Sequence, residues 1–295
     1  MPRVLLIFVD GVGIGLPDPT VNPFARFEPA IFAHFAAGPA KPIYGTGFVT
    51  PTQATLGVPG LPQSATGQTT ILTGINASRF LGSHLSGFPN TALKNLLARE
   101  SIFVKLQEHG RSATFANSYT PGFFNRKERP VSVTTAACRS AGVRLRTMAD
   151  LASGDAVYQD FTHHYLRQIG YDLPLRTPEQ SGANLARIAS RYSFTLYEYF
   201  ITDMVGHACD MTLAVEVLQN LERFICSVLD EIDPAEQLVL LTSDHGNIED
   251  LSRKTHTFNP VPTLSWGHRA AEASGSVATI EAITPFILSI LGVRS

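Results

Sequence analysis

Two short apolar runs, Val4–Val9 near the start of the chain and Gln237–Thr242 near its end, each stop abruptly at an acidic residue: Asp10-Gly11-Val12-Gly13 follows the first and Ser243-Asp244-His245-Gly246-Asn247 the second. A strand that is apolar at successive positions, not at alternate ones, has to be covered on both faces. That requirement confines it to the interior of an α/β sheet. In such sheets ligands gather beyond the carboxyl ends of the strands, where these acidic residues fall.

The chain between the two runs alternates in the same sense. Gly11 to Pro23 is a Gly/Pro-rich loop. Ser64-Ala65-Thr66-Gly67-Gln68 follows a proline-punctuated stretch and reads as a helix start, with hydroxyls to cap free backbone N–H groups and an N-terminus that attracts phosphate. Leu93 to Leu106 carries apolar residues at helical spacing, Gly110 stops that helix, and Ser112 to Asn117 is strand-like. After Gly182 the pattern predicts a helix to about Arg191, a strand over Phe194 to Ile201 and a long amphipathic helix over Met211 to Leu229. Strands alternating with helices predict a mainly parallel sheet with helices on both faces, a three-layer α/β/α core.

The region from about Ser118 to Gln180 is richer in Arg, Ser and Thr and less regular, with short strands expected at Val143–Thr147 and Ala156–Phe161. It predicts a smaller inserted α+β cap domain over residues 90–181, leaving 1–89 and 182–295 as the core. Glycines near the two junctions, Gly87 and Gly182, are candidate hinges.

Composition excludes several partners. The 295 residues are 44% hydrophobic and 16% charged, with a formal net charge of -2, so there is no electrostatic ground for nucleic acid or an anionic membrane. Cys138, Cys209 and Cys226 are too few for a disulfide framework and are not spaced as a thiolate zinc site. The Val4–Val9 run lacks a small-residue cleavage site and passes straight into Asp10-Gly11, which reads as a strand and not a signal peptide. No stretch approaches the roughly 20 consecutive apolar residues of a membrane span. A reducing, cytoplasmic setting is expected, and the oligomeric state stays open.

Two further stretches complete a chemical set. Thr202-Asp203-Met204-Val205-Gly206-His207 and Lys254-Thr255-His256-Thr257 add carboxylate and imidazole groups. Asp10, Asp203, Asp244 and His245 each follow a predicted strand, so residues distant in sequence can converge. Two divalent cations about 3.5–4 Å apart among such groups stabilise the charge that develops in an in-line displacement at phosphorus. Carboxylates and imidazoles without thiolate suit manganese or zinc, and the histidines count against magnesium or calcium alone. Metal-dependent phosphoryl transfer on a small phosphorylated substrate is the expected chemistry.

Taken in order, these motifs resemble the alkaline phosphatase superfamily, and within it the cofactor-independent phosphoglycerate mutases and phosphopentomutases, over roughly Met1 to Pro89 and Gly182 to Ser295. The resemblance implies an alkaline-phosphatase-like core. It also implies that Asp10, Asp244 and His245 hold one metal together with the nucleophile, and that Asp203, His207 and His256 hold the other. Ser64 matches the position of the family nucleophile. A bound dication lowers the pKa of a coordinated oxygen, so no His–Asp triad is required. A phosphoserine formed there would return its phosphate to a substrate hydroxyl in a mutase, or lose it to water in a phosphatase.

The chain also departs from both mutase patterns. In Gln63-Ser64-Ala65-Thr66-Gly67-Gln68 a glutamine stands where the phosphoglycerate mutases carry histidine. The phosphopentomutases use threonine as nucleophile and usually a longer gap than Asp203 to His207. The insertion is much shorter than in the bacterial phosphoglycerate mutases. Asn22 and Gln63 are candidate substrate contacts. Arg139, Arg144 and Arg146 form a basic cluster in the insertion that either clamps a phosphate or makes a solvated strand face. The reading is a phosphomutase whose cap closes over the metals and excludes water. A phosphatase or phosphodiesterase, and a non-catalytic metal-binding module, are the alternatives.

Overall fold

A computed structural model describes residues 2–37, 43–125 and 130–294. The strands among them are β1 (Arg3–Val9), β2 (Phe48–Thr52), β3 (Ala113–Phe115), β4 (Ser118–Tyr119), β5 (Arg146–Thr147), β6 (Phe194–Tyr199), β7 (Gln237–Thr242) and β8 (Val261–Gly267). Six of them make one sheet in the order β2-β8-β7-β1-β6-β3. The pairs β7–β1, β1–β6 and β6–β3 are parallel, whereas β8 runs antiparallel to β7 and β2 antiparallel to β8.

The apolar run of β1 explains the three layers. Val4, Leu6 and Phe8 enter a core on one face, shared with the helices Ser64–Thr73, Thr91–Glu100 and Ile283–Ile290. Leu5, Ile7 and Val9 enter the core on the other, shared with the helices Pro178–Ala189 and Met211–Glu231. Successive strand side chains point to opposite faces, so an unbroken apolar run fills both cores at once. The α/β/α architecture read from the sequence is the observed one.

The expected start of the insertion at residue 90 does not hold. The amphipathic stretch Leu93–Leu106 forms the helices Thr91–Glu100 and Ile102–Glu108, and their Leu93, Leu97, Phe103 and Leu106 are buried in the same core as Val4 and Leu6. β3 then pairs with β6 inside the main sheet. Residues 91–115 are thus part of the core, because their apolar face has no other surface to cover. Beyond them a two-stranded sheet, β4–β5, and a small separate cluster of Leu151, Ala156, Tyr158 and Leu166 mark the part of the insertion with packing of its own. The strand expected at Ala156–Phe161 reduces to one bridge, between Val157 and Asn117. Among the described residues no helix is long and apolar enough to cross a membrane.

Candidate metal centre

β1 and β7 lie side by side, with Phe8 opposite Thr242, so their ends deliver Asp10 and Asp244 to one place. Ser243 ties the two ends together: its Oγ accepts from the Val12 N–H at 2.9 Å and donates to the His245 carbonyl at 3.0 Å. Asp244 and His245 are wholly buried. Gly11 turns the chain at φ +70°, where a Cβ would lie 2.7 Å from Asp203 Oδ1, so glycine is required by conformation and by space together. The third acidic residue is not at a strand end, as its sequence position suggested. β6 stops at Tyr199, and Asp203 lies in the first turn of the helix Ile201–Ala208, with His207 one turn further along the same face.

Ser64 opens the helix Ser64–Thr73, whose Gly67 passes so close to Asp244 that a Cβ would meet its Cβ at 2.8 Å. That approach sets Ser64 Oγ 3.0 Å from His245 Nε2. The same nitrogen is 3.4 Å from Asp10 Oδ1 and 3.5 Å from Asp244 Oδ2. Burial, reinforced by Asp244, pushes the Asp10 carboxyl well above the usual range, and burial next to Asp203 lifts Asp244 to about 8. Burial and neighbouring His256 hold His245 well below the ordinary imidazole value. Asp10 Oδ1 and His245 Nδ1 are buried without hydrogen-bond partners. Acidic groups this deep that repel one another call for a compensating cation.

The second group is set by two tautomers. His207 Nδ1 is 2.8 Å from the Lys254 carbonyl and His256 Nδ1 is 2.7 Å from the Pro62 carbonyl. A carbonyl oxygen only accepts, so each Nδ1 carries a hydrogen, and a metal would take the Nε2 that each ring turns inward. Those two Nε2 atoms are 3.3 Å apart and lie 3.4 and 3.7 Å from the Asp203 carboxylate. His256 also stacks on His245, with ring centroids 3.7 Å apart. Ligand atoms of Asp10, Asp244 and His245 lie within 4.8 Å of one another, as do those of Asp203, His245 and His256. Oxygen and nitrogen donors with oriented imidazoles and no thiolate fit divalent cations.

Three supporting residues escaped the sequence reading. Gln68, noticed only as a departure from a motif, donates Nε2 to Asp10 Oδ2 at 3.1 Å and approaches Asp244 Oδ2 at 3.5 Å. Asn247 donates to Asp203 Oδ1 at 2.7 Å. Glu249, 1% exposed, accepts from the Gly13 and Asn247 N–H groups and from Thr257 and Asn259 side chains, locking the loops around the site. Gln68 lies one helical turn after Ser64, a spacing that places both on one face of a helix.

The expected substrate contacts divide. Gln63 lines a cleft of about 520 Å³ together with Ser64, Asp203, His207, Lys254 and His256. Asn22 does not reach it: it caps a short 3-10 helix by accepting from Phe24 N–H and donates to the Leu16 carbonyl. The arginines do not form a clamp either. Arg144 makes a two-pronged pair with Asp150, and Arg139 lies over the Phe123 ring at 5.4 Å. Arg146 is 2% exposed and bonded to Thr114 and to the Phe115 and Asp155 carbonyls. Alternation along a strand read as solvated in fact carries Arg146 inward.

Sheet order and strand-end ligands give the chain an alkaline-phosphatase-like fold with a candidate metal centre. The chain superposes on the alkaline phosphatase from the Antarctic bacterium TAB5 with a TM-score of 0.54 at 13% identity, covering 99% of both chains. On the PH0037 protein from Pyrococcus horikoshii the TM-score is 0.58 at 15% identity, covering 99% of this chain and 97% of that one. Residues 170–295 match the model of the Metalloenzyme superfamily.

Over part of its length the chain resembles the 2,3-bisphosphoglycerate-independent phosphoglycerate mutases. It is 31% identical to that of Desulforudis audaxviator over 130 residues, which are 41% of this chain and 25% of the relative. It is 35% identical to that of Halobacterium salinarum over 104 residues, 32% of this chain and 20% of the relative. The match therefore spans a quarter or less of those curated relatives.

Proposed function

We propose that the chain carries out metal-dependent phosphoryl transfer through a phosphoserine at Ser64, as a phosphomutase acting on a small phosphorylated metabolite. The observation that carries this reading is the 3.0 Å contact of Ser64 Oγ with His245 Nε2, which sets a hydroxyl at a helix N-terminus against two buried carboxylates. Asp10, Asp244, His245 and Ser64 would hold one divalent cation, manganese or zinc, and Asp203, His207 and His256 a second. Cations bound there lower the pKa of the serine hydroxyl and offset the charge on a transferring phosphoryl group.

The chain's own residues supply orientation. The N-terminus of the helix Ser64–Thr73 favours a phosphate placed before it. Gln68 fixes the Asp10 carboxylate, and Asn247 fixes that of Asp203. As the Ser64 Oγ–phosphorus bond forms, the bond to the ester oxygen breaks; attack by a substrate hydroxyl on the phosphoserine then regenerates Ser64.

One observation supports hydrolysis as a second reading. The His207 side chain is 42% exposed at the cleft, where water can reach a phosphoserine. Turnover of phosphoglycerates, phosphosugars and simple phosphate esters by protein refilled with manganese or zinc separates the two. Isomer without free phosphate is the expected result. Free phosphate alone establishes the phosphatase, and metal binding without any turnover overturns both.

A further inference from the structure

A second cavity, of about 390 Å³, lies at the carboxyl end of β6, where Glu198 and Phe200 line it, and the functional reading above makes no use of it. Phe115, Tyr119 and Phe123 line it from one stretch of chain and Tyr158 and Tyr165 from another. The rings are packed together: Tyr119 and Phe123 have centroids 4.2 Å apart, and Tyr158 and Tyr165 lie parallel within 9°. The remaining group of note is Glu198, 7% exposed, which also lines the cavity.

Among the described residues no cation pairs with the buried Glu198 carboxyl. Among the described residues its side chain has one hydrogen bond, from Thr134 Oγ1 to Oε2 at 2.7 Å, and no ion pair. An acidic group at this depth is normally paired. Aromatic rings line the same cavity as this carboxyl, and ring faces beside a carboxylate are the chemistry that holds ammonium groups. One ring of the set already carries a cation on a face, since the Arg139 guanidinium lies over Phe123.

The cavity and the metal cleft are lined by neighbouring stretches of chain. Ser86 and Gly87 line the cleft beside Ser64, and the next residue, Phe88, lines the cavity. On the other side Phe200 lines the cavity and Asp203 the cleft. β6 pairs with β1 so that Glu198 lies opposite Phe8, two residues before Asp10. Neighbouring strands are about 4.8 Å apart. These neighbouring positions are the ground for placing one two-ended ligand across cavity and cleft.

We propose that this aromatic cavity binds the positively charged end of an amino-alcohol phosphate that carries a second hydroxyl, the acceptor for the phosphate on Ser64, with its ammonium group between the rings and Glu198 and its phosphate at Ser64. The assignment rests on the phosphoryl-transfer reading for the phosphate, and on the cavity alone for the cation.

Choline and its uncharged isostere 3,3-dimethylbutanol, titrated calorimetrically into the full chain, test the cavity without any turnover. Choline is expected to bind at least roughly tenfold more tightly. The preference should fall severalfold in Tyr165→Leu, a change at a 45% exposed rim residue that leaves the core alone, and be lost in Glu198→Gln. Phosphocholine and 3,3-dimethylbutyl phosphate have no second hydroxyl and can pass phosphate only to Ser64 and then water; phosphorylation of Ser64 by each, followed on metal-loaded protein, should differ in the same sense. Selective choline binding by a protein that phosphorylates Ser64 with neither ester would remove the phosphate arm of the proposal and leave the cation site standing. Equal binding of the two alcohols, or a preference that survives both substitutions, overturns the proposal.

Discussion

The Nε2 atoms of His207 and His256 face each other across 3.3 Å while the Nδ1 of each ring donates to a backbone carbonyl. In the neutral rings both facing atoms are acceptors, and Asp203 adds a third. A cation between them turns mutual repulsion into attraction, so the centre should stabilise the fold when loaded. Manganese or zinc at about 100 times its Kd is expected to add about 2.7 kcal/mol over chelated protein. His256→Ala should lose most of that gain. Thermal unfolding with and without chelator measures it, and identical melting in the two conditions contradicts the assignment.

Gln68 makes a prediction that does not depend on chemistry at Ser64. Its amide holds Asp10 Oδ2 at 3.1 Å, and groups that orient metal ligands typically change affinity by about 10–100-fold when removed. Gln68→Ala is expected to weaken metal binding by that range while circular dichroism stays that of the wild type. Unchanged affinity would make Gln68 a packing residue only.

Glu198 gives the chain a pH dependence with a definite sign. Burial raises its carboxyl from 4.5 to about 7, opposed by the Thr134 hydroxyl, and Asp10 at the adjacent strand end is the nearby acidic group. The folded state keeps a proton that the unfolded state gives up, so the group's stabilising contribution is complete below 4.5 and lost as pH rises through about 7. The full span is on the order of 3 kcal/mol. Glu198→Gln should match wild type near about pH 4 and exceed it near about pH 8 in urea unfolding of chelated protein. A difference independent of pH contradicts the buried-carboxyl account.

Arg146 tests whether the basic cluster serves substrate or fold. Its guanidinium is buried against Thr114 and two carbonyls, and losing charge-assisted bonds of this kind costs roughly 2–4 kcal/mol. Arg146→Ala is expected to lower stability by that amount with kcat/KM per folded molecule unchanged. Lysine should not rescue it, since the planar fork cannot be reproduced by an ammonium. A selective rise in KM at unchanged stability would return Arg146 to the substrate.

What was legible in the sequence and what was not follow from how far each signal reaches. β1 and β7 were legible because full burial leaves an unbroken apolar run, and Asp10, Asp244 and His245 because they follow those runs directly. β2 and β8 were missed: each contains a proline, Pro51 opposite Pro262, and threonines in place of large apolar residues. The sheet tolerates them because β2 is an edge strand and Pro262 lies past the Leu241–Leu264 pair where β7 and β8 part. The insertion boundary failed because residues 91–115 have helical and strand periodicity without any mark of which sheet they join. Gln68, Asn247 and Glu249 act through side-chain contacts between distant loops, which no local pattern encodes.

The claim on which the account turns is that Ser64 accepts phosphate covalently. Metal-loaded protein is mixed with a phosphate ester that it turns over, quenched in acid within the first turnover, digested and analysed by mass spectrometry. The account predicts phosphate on the peptide carrying Ser64, with no phosphopeptide and no turnover in Ser64→Ala, although that variant keeps its metal. Turnover by Ser64→Ala at the wild-type rate, with no phosphopeptide in either protein, would contradict it.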